Sequence, residues 1–220
     1  MKIKGAIFDC DGTLVDSLGF WAIFYEMLGE RYFNDKKFWP RPEDDHAMRT
    51  QNTEFLGRTL HTNYGAGKSS EEIRDWFYDR FGWYYDNVVP LKPGVRELLA
   101  YWKELGVKMC VATASEIHMV KKILERHGVM EYFDDVISCT KVGAGKDKPD
   151  VFLAAAEFLG TPREQTFVVE DSTLAIETAK KAGFPTVGVY DVNTFGQDRA
   201  KELSDVYVQE TFEELIPHVK

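Results

Sequence analysis

Several things are scarce or missing in this chain, and each absence narrows what it does. Its three cysteines, Cys10, Cys110 and Cys139, are odd in number, far apart and set in or beside apolar segments. No C-x-x-C spacing occurs, which argues against zinc or dithiol chemistry and for buried, reduced thiols. A basic excess is missing: 27 Lys and Arg stand against 36 Asp and Glu, for a net charge of −9. Nothing resembles a basic stripe, so a nucleic-acid partner is not expected. No apolar run approaches a membrane span. Met1-Lys2-Ile3-Lys4 leads straight into an apolar segment with no signal-peptide pattern. The expectation is a cytoplasmic protein with no membrane partner and, by default, a monomer. There are no internal repeats, and the five histidines show no ligand spacing.

What is present is ordinary in bulk and informative in order. At 220 residues, 44% hydrophobic and 29% charged, the chain can bury a sizeable core. Ile3, Ala6, Ile7 and Phe8 read as a short buried strand. From about Lys92 to Tyr190, strand and helix signals alternate. Strands are predicted at Val107 to Thr113, Val136 to Ser138, Thr166 to Val169 and Pro185 to Tyr190. Helices are predicted from Pro93 to Gly106, Glu116 to His127, Pro149 to Leu159 and Leu174 to Ala182. Apolar strands alternating with helices predict an α/β fold with a parallel sheet covered on both faces. Residues 17–89 read differently, with no convincing strand. Helices are expected over Leu18 to Tyr32, Asp44 to Tyr64 and Ser70 to Tyr85, the last opened by a capping box at Ser69-Ser70-Glu71-Glu72. Aromatic residues crowd this stretch and predict a helical core. The chain thus divides into an α/β core domain, residues 1–16 and 90–220, and an inserted α-helical domain, residues 17–89.

Ligands of parallel α/β sheets bind beyond the carboxyl ends of the strands. The first strand ends at Asp9-Cys10-Asp11-Gly12-Thr13, two carboxylates one residue apart. The second ends at Thr113 and Ser115. The loop Gly143 to Asp150 brings lysines just before a helix, and a later strand ends at Glu170-Asp171-Ser172. Carboxylates from two strands suit Mg²⁺, which takes hard oxygen ligands. A hydroxyl, amides and a lysine can take up charge on phosphoryl oxygens. One carboxylate can serve as nucleophile and another as acid and base. The negative net charge does not exclude a small anionic substrate, because a bound cation and a lysine reverse the local field. The set fits phosphoryl transfer.

These residues also carry a family resemblance. Asp9-Cys10-Asp11-Gly12-Thr13-Leu14-Val15-Asp16-Ser17 matches the D-x-D-G-T-L-x-D-S opening of haloacid dehalogenase-like phosphohydrolases. Thr113 matches the second motif and Glu170-Asp171-Ser172 the acidic fourth. The third, Gly145-Lys146-Asp147-Lys148-Pro149-Asp150-Val151-Phe152, departs from the usual G-K-P-x-P-D-x-F at Asp147. Its register gives Lys146 the lysine's place, with Lys148 as the competing candidate. The motifs follow the family's order over nearly the whole core, and the helical insert looks like the family's cap domain. Within the family the chain resembles the branch of phosphoglycolate phosphatases and β-phosphoglucomutase.

The resemblance implies a Rossmann-like core and a Mg²⁺-dependent phosphatase for a small phosphorylated metabolite. Asp9 is then the nucleophile and Asp11 the general acid and base. Mg²⁺ is held by Asp9, the Asp11 carbonyl and Asp171, with Glu170 a direct ligand or a neighbour of one. Thr113 and Lys146 bind the transferring phosphoryl group. Gly12 lets amides approach it, and Ser115 either touches it or caps the helix at Glu116. Asp16 and Ser17 are expected to cap the first inserted helix or to order its loop. Arg49 is the best choice on the cap for a substrate anion, and Trp21 and Phe24 are placed near the entrance. A β-phosphoglucomutase-like mutase is the alternative. In that enzyme a histidine on the first cap segment favours sugar over water, and Leu18-Gly19-Phe20-Trp21 has none.

Overall fold

Short apolar runs bounded by polar turns become strands here because both of their faces are covered. The computed structural model describes residues 3–50 and 53–218. Six parallel strands, β1 (Gly5–Phe8), β2 (Lys108–Thr113), β3 (Val136–Ser138), β4 (Thr166–Glu170), β5 (Thr186–Val189) and β6 (Val206–Val208), form one sheet in the order β3-β2-β1-β4-β5-β6. The register sets Phe8 opposite Val111 on one side and Val169 on the other. The chain runs outward from β1 through β2 to β3, then restarts at β4 on the far side of β1. The order therefore reverses between β1 and β4, and ligand crevices of open α/β sheets form at such a switch point.

Strand alternation sorts the side chains between two layers. Ile7, Cys110, Ala112 and Val168 pack with Val151, Phe152 and Ala155 of α8 (Asp150–Leu159) and Ala175 and Ala179 of α9 (Thr173–Lys181). On the other face Phe8 meets Trp102 of α5 (Val95–Glu104), with ring centroids 5.7 Å apart, and Phe133 at 5.8 Å. Burying a phenylalanine such as Phe8 is worth about 3–5 kcal/mol against truncation to alanine. The remaining helices of this unit are α6 (Ile117–Arg126), α7 (Cys139–Val142) and α10 (Gln197–Leu203). The fold is the Rossmann-like α/β sheet expected. Two helices and the edge strand β6 were not anticipated: α7 is a single turn, α10 carries one buried residue, and β6 spans three residues.

Contacts divide the chain into two compact units, one running to Leu18 and resuming at Val89, the other Gly19–Val88. The second unit contains α1 (Phe20–Phe33), α2 (Pro42–Thr50), α3 (Thr53–Tyr64) and α4 (Ser70–Asn87). Within the stretch expected as one helix from Asp44 to Tyr64, the described residues belong to α2 and α3; Gln51 and Asn52 lie outside the described residues. Phe20, Phe24, Leu28, Leu56, Leu60, Ile73 and Phe77 fill the core of this unit. Phe24 meets Phe77 edge-on at 5.0 Å and is fully enclosed. It is therefore a core residue and does not line an entrance as expected. Ser69 caps α4 by accepting the Glu72 amide at 3.2 Å. The Glu72 carboxylate turns to the Lys68 amide instead of closing the box on Ser69. A Cβ on Gly57 would sit 2.3 Å from the Ser70 carbonyl, so glycine is what lets α3 lie this close to the start of α4.

Candidate active site

The site begins where β1 runs out of apolar residues. The Asp9 amide still follows the sheet, donating to the Val169 carbonyl at 2.9 Å. Cys10 then turns into the core and is fully buried, as alternation requires. Its carbonyl accepts the amides of Thr13, Leu14 and Val15 at 3.3, 2.9 and 3.0 Å, which winds the next residues into a tight turn. Gly12 makes that turn at φ +82°, where L side chains are strained. A Cβ there would also lie 2.7 Å from Asp171 Oδ2, so glycine is needed on both counts.

The turn and the end of β4 bring charge together. Lys146 donates to Asp9 Oδ1 and, at 2.6 Å, to Glu170 Oε1. Its side chain is 12% exposed, while Lys148 is exposed, so the structure puts Lys146 in the cluster and leaves Lys148 outside it. Burial opposes a charged Lys146, but the Asp9 and Glu170 carboxylates outweigh it and hold the ammonium form far above the usual range. Burial raises the Asp9 carboxyl well above its ordinary value; Lys146 offsets part of this, and Glu170, Asp171 and Asp11 add to it. Glu170 Oε2 accepts the Ser172 amide at 3.1 Å, so both of its oxygens are engaged.

Asp171 is held by hydroxyls. Thr13 donates to its Oδ1 at 3.0 Å, and Thr194 donates to its Oδ2. Burial and the neighbouring Glu170 raise its carboxyl to about 7 against the pull of those two hydrogen bonds. Asp11 is held in the same manner, by Ser17 on Oδ1 and Ser115 on Oδ2, both at 2.7 Å. Thr113 is buried at the end of β2, and its Oγ1 accepts the Ser115 amide at 2.9 Å. Residues of the four motifs therefore line the carboxyl edge of one unit. Ser115 is not a helix cap, since Glu116 holds that position without a side-chain bond. Ser17 does not cap α1 either: Gly19 precedes that helix, and the Ser17 hydroxyl is on Asp11. Arg49 belongs to the helical unit, where it donates to Asp45 Oδ1 at 2.6 Å.

Asp9, Glu170 and Asp171 present ligand oxygens within 4.8 Å of one another, all buried. Three buried carboxylates face one ammonium, and two of them are pushed toward protonation by burial first and by their acidic neighbours second. An all-oxygen, net-acidic, buried donor set of this kind fits a hard divalent cation such as Mg²⁺.

A layer behind the carboxylates leaves little trace in the sequence. Thr194 and Gln197, beyond β5, reach Asp171, the latter through Nε2 to its carbonyl at 3.2 Å. Asp191, 2% exposed, pairs with Lys92 at 2.7 Å. None of these lies in a motif. The one available signal was Asp191 at the end of an apolar strand, the same pattern that marks Asp9 and Asp171.

A family model described as haloacid dehalogenase-like hydrolase matches residues 3–183. Hexitol phosphatase B of Escherichia coli K12 is 28% identical over 200 residues, which cover 86% of this chain and 84% of that protein. A phosphorylated carbohydrates phosphatase of Thermotoga maritima is 27% identical over 186 residues, 84% of each chain. Among solved structures, one from Thermotoga maritima assigned as a β-phosphoglucomutase superposes with a TM-score of 0.79 at 26% identity, over 99% of this chain and 98% of its own.

Proposed function

Because the chain belongs to the haloacid dehalogenase-like hydrolases, with phosphatases among its relatives, we propose that it is a Mg²⁺-dependent phosphatase. Its substrate is a small phosphorylated metabolite, and the reaction passes through an aspartyl phosphate on Asp9. The observation that carries this reading is the cluster of Asp9, Glu170, Asp171 and Lys146 at the sheet's switch point.

Asp9, the Asp11 carbonyl and Asp171 would hold Mg²⁺, with Glu170 beside them, and the bound cation would supply charge neutralisation on the phosphoryl oxygens. An Asp9 oxygen attacks phosphorus, and the bond from phosphorus to the leaving oxygen breaks. Protonated Asp11 gives its proton to that oxygen. Asp11 then takes a proton from water as the water oxygen attacks the same phosphorus. The bond to Asp9 breaks, and phosphate leaves with both aspartates restored. Lys146 and Thr113 supply a cation and a hydroxyl to the phosphoryl oxygens, and the turn at Gly12 supplies amides. Ser17 and Ser115 keep the Asp11 carboxyl aimed for both transfers.

The experiment is a panel of sugar phosphates, phosphoglycolate and a chromogenic phosphate ester, with and without Mg²⁺. Phosphate release that needs Mg²⁺ and vanishes in Asp9→Asn is the expected result; undiminished turnover by that variant contradicts the mechanism. The likeness to the β-phosphoglucomutase structure favours a second reading, in which the phosphoryl group returns to a sugar. The lack of histidine in Leu18-Gly19-Phe20-Trp21 weighs against it. Interconversion of hexose phosphates without net phosphate release would establish it.

A further inference from the structure

Asp171 is a single carboxylate fixed from several directions. Thr13 holds Oδ1 at 3.0 Å, Thr194 holds Oδ2, and Gln197 holds the backbone carbonyl at 3.2 Å. Gly12 packs so near that any side chain there would strike Oδ2. A carboxylate offers about four lone-pair sites. One hydroxyl on each oxygen leaves each oxygen a further lone pair.

The loop that brings Thr194 has no regular secondary structure, and a network of polar contacts runs through it. Asp191, at its start, is almost fully buried. Its Oδ1 accepts the Asn193 amide at 2.7 Å, and its carbonyl accepts the Thr194 amide at 3.1 Å. Its Oδ2 pairs with Lys92 Nζ, which also donates to the Tyr190 carbonyl at 2.8 Å. Gln197 Oε1 accepts the Tyr207 hydroxyl at 2.7 Å and the Asp191 amide at 3.4 Å, tying the end of the loop to its beginning. A buried ion pair and a closed ring of hydrogen bonds thus carry one half-exposed threonine hydroxyl to Asp171.

We propose that Thr194 is a positioning residue that sets the Mg²⁺ affinity of the site by fixing Asp171, and that the Lys92–Asp191 pair holds its loop in place. The inference rests on the reading of Asp171 as a cation ligand given above. A ligand held by outer hydrogen bonds loses little freedom on binding and presents its lone pair in one orientation. Removing such a contact weakens metal affinity roughly 10- to 100-fold.

The test is calorimetric titration of the full-length protein with Mg²⁺, alongside the Mg²⁺ dependence of its melting temperature. Thr194→Val, which keeps the shape and removes the hydroxyl, is expected to weaken binding about 10- to 100-fold and to shrink the Mg²⁺-induced shift in melting temperature. Thr194→Ser, which restores the hydroxyl, is expected to bind within a few-fold of wild type. Saturating Mg²⁺ is expected to return most of the turnover of Thr194→Val, because the chemistry is intact and only occupancy is lost. Wild-type affinity in Thr194→Val, with binding abolished in Asp171→Asn, overturns the positioning role and leaves the metal reading standing. Wild-type affinity in Asp171→Asn overturns the metal reading itself and this inference with it. A Thr194→Ser protein that binds as weakly as Thr194→Val also overturns the proposal, since the hydroxyl would then not be the cause.

Discussion

One carboxylate cluster buried in each unit of the molecule is treated in the opposite way to the other. In the helical unit Asp45 is 6% exposed and fully answered. Arg49 donates to its Oδ1 at 2.6 Å, and the Tyr25 hydroxyl donates to the same oxygen at 2.7 Å. The arginine lies over the Trp21 ring at 5.4 Å and within 6.0 Å of Tyr25 and Trp39, a setting suited to a planar, weakly hydrated cation. Burial and Asp45 push the Tyr25 hydroxyl far above its ordinary range, so it remains a donor. In the α/β unit Asp9, Glu170 and Asp171 share one ammonium, Lys146. One cluster is complete, and the other is short of positive charge. Removing one partner of a balanced buried pair strands the other at a cost; buried charge that does not balance and carries shifted titration marks a candidate functional site.

The sharpest way to break this contrast is to remove one carboxylate from the unbalanced cluster. Asp9→Asn is expected to lower kcat by at least about 10³-fold without lowering the melting temperature of the metal-free protein, since it deletes a desolvated charge. Steady-state assay and thermal melts check both halves. Next, Arg49→Met strands Asp45 in the complete cluster. It is expected to cost about 3–5 kcal/mol in urea unfolding, and adding Asp45→Asn should recover most of that loss.

The two clusters should also differ in their response to pH. Asp171 titrates near pH 7 in the folded chain, and Asp9 is raised as well. Between the ordinary carboxylate range and about pH 7 the folded state therefore holds more protons than the unfolded one. Stability of the metal-free protein is expected to fall as pH rises through that window. Added Mg²⁺ favours the ionised carboxylates, so its stabilisation should grow toward pH 8. Melting curves with and without Mg²⁺ at several pH values measure this; a Mg²⁺ effect that shrinks with rising pH would contradict it. The smallest effect belongs to Ser17→Ala. Ser115 still holds Asp11 there, and the loss should be about 1 kcal/mol, read as a drop of roughly tenfold or less in kcat.

Much of the α/β unit was legible because most of its functional residues stand where an apolar strand stops. Ile7 and Phe8 give way to Asp9, Ala112 to Thr113, and Val169 to Glu170; the change of polarity marks both the strand end and the chemistry. The register around Pro149 favoured Lys146 over Lys148, and the structure places Lys146 on Asp9 and Glu170. The layer behind the carboxylates was not legible. Thr194 and Gln197 sit in a loop whose shape depends on the Lys92–Asp191 pair, and those partners lie 99 positions apart. A contact of that sequence separation leaves no local pattern. In the helical unit the aromatic abundance predicted a core correctly, but it could not separate Phe24, fully enclosed, from Trp21, which keeps exposed surface.

In the proposed mechanism everything turns on Asp9 carrying the phosphoryl group. Rapid-quench single turnover with a reactive phosphate ester and Mg²⁺, followed by borohydride reduction, converts a phosphorylated aspartate to homoserine that peptide mass spectrometry locates. Homoserine is expected at position 9, appearing and decaying at rates consistent with turnover, and none in Asp9→Asn. Turnover of substrate with the label at another residue, or with no protein-bound phosphoryl group at any time point, would contradict it.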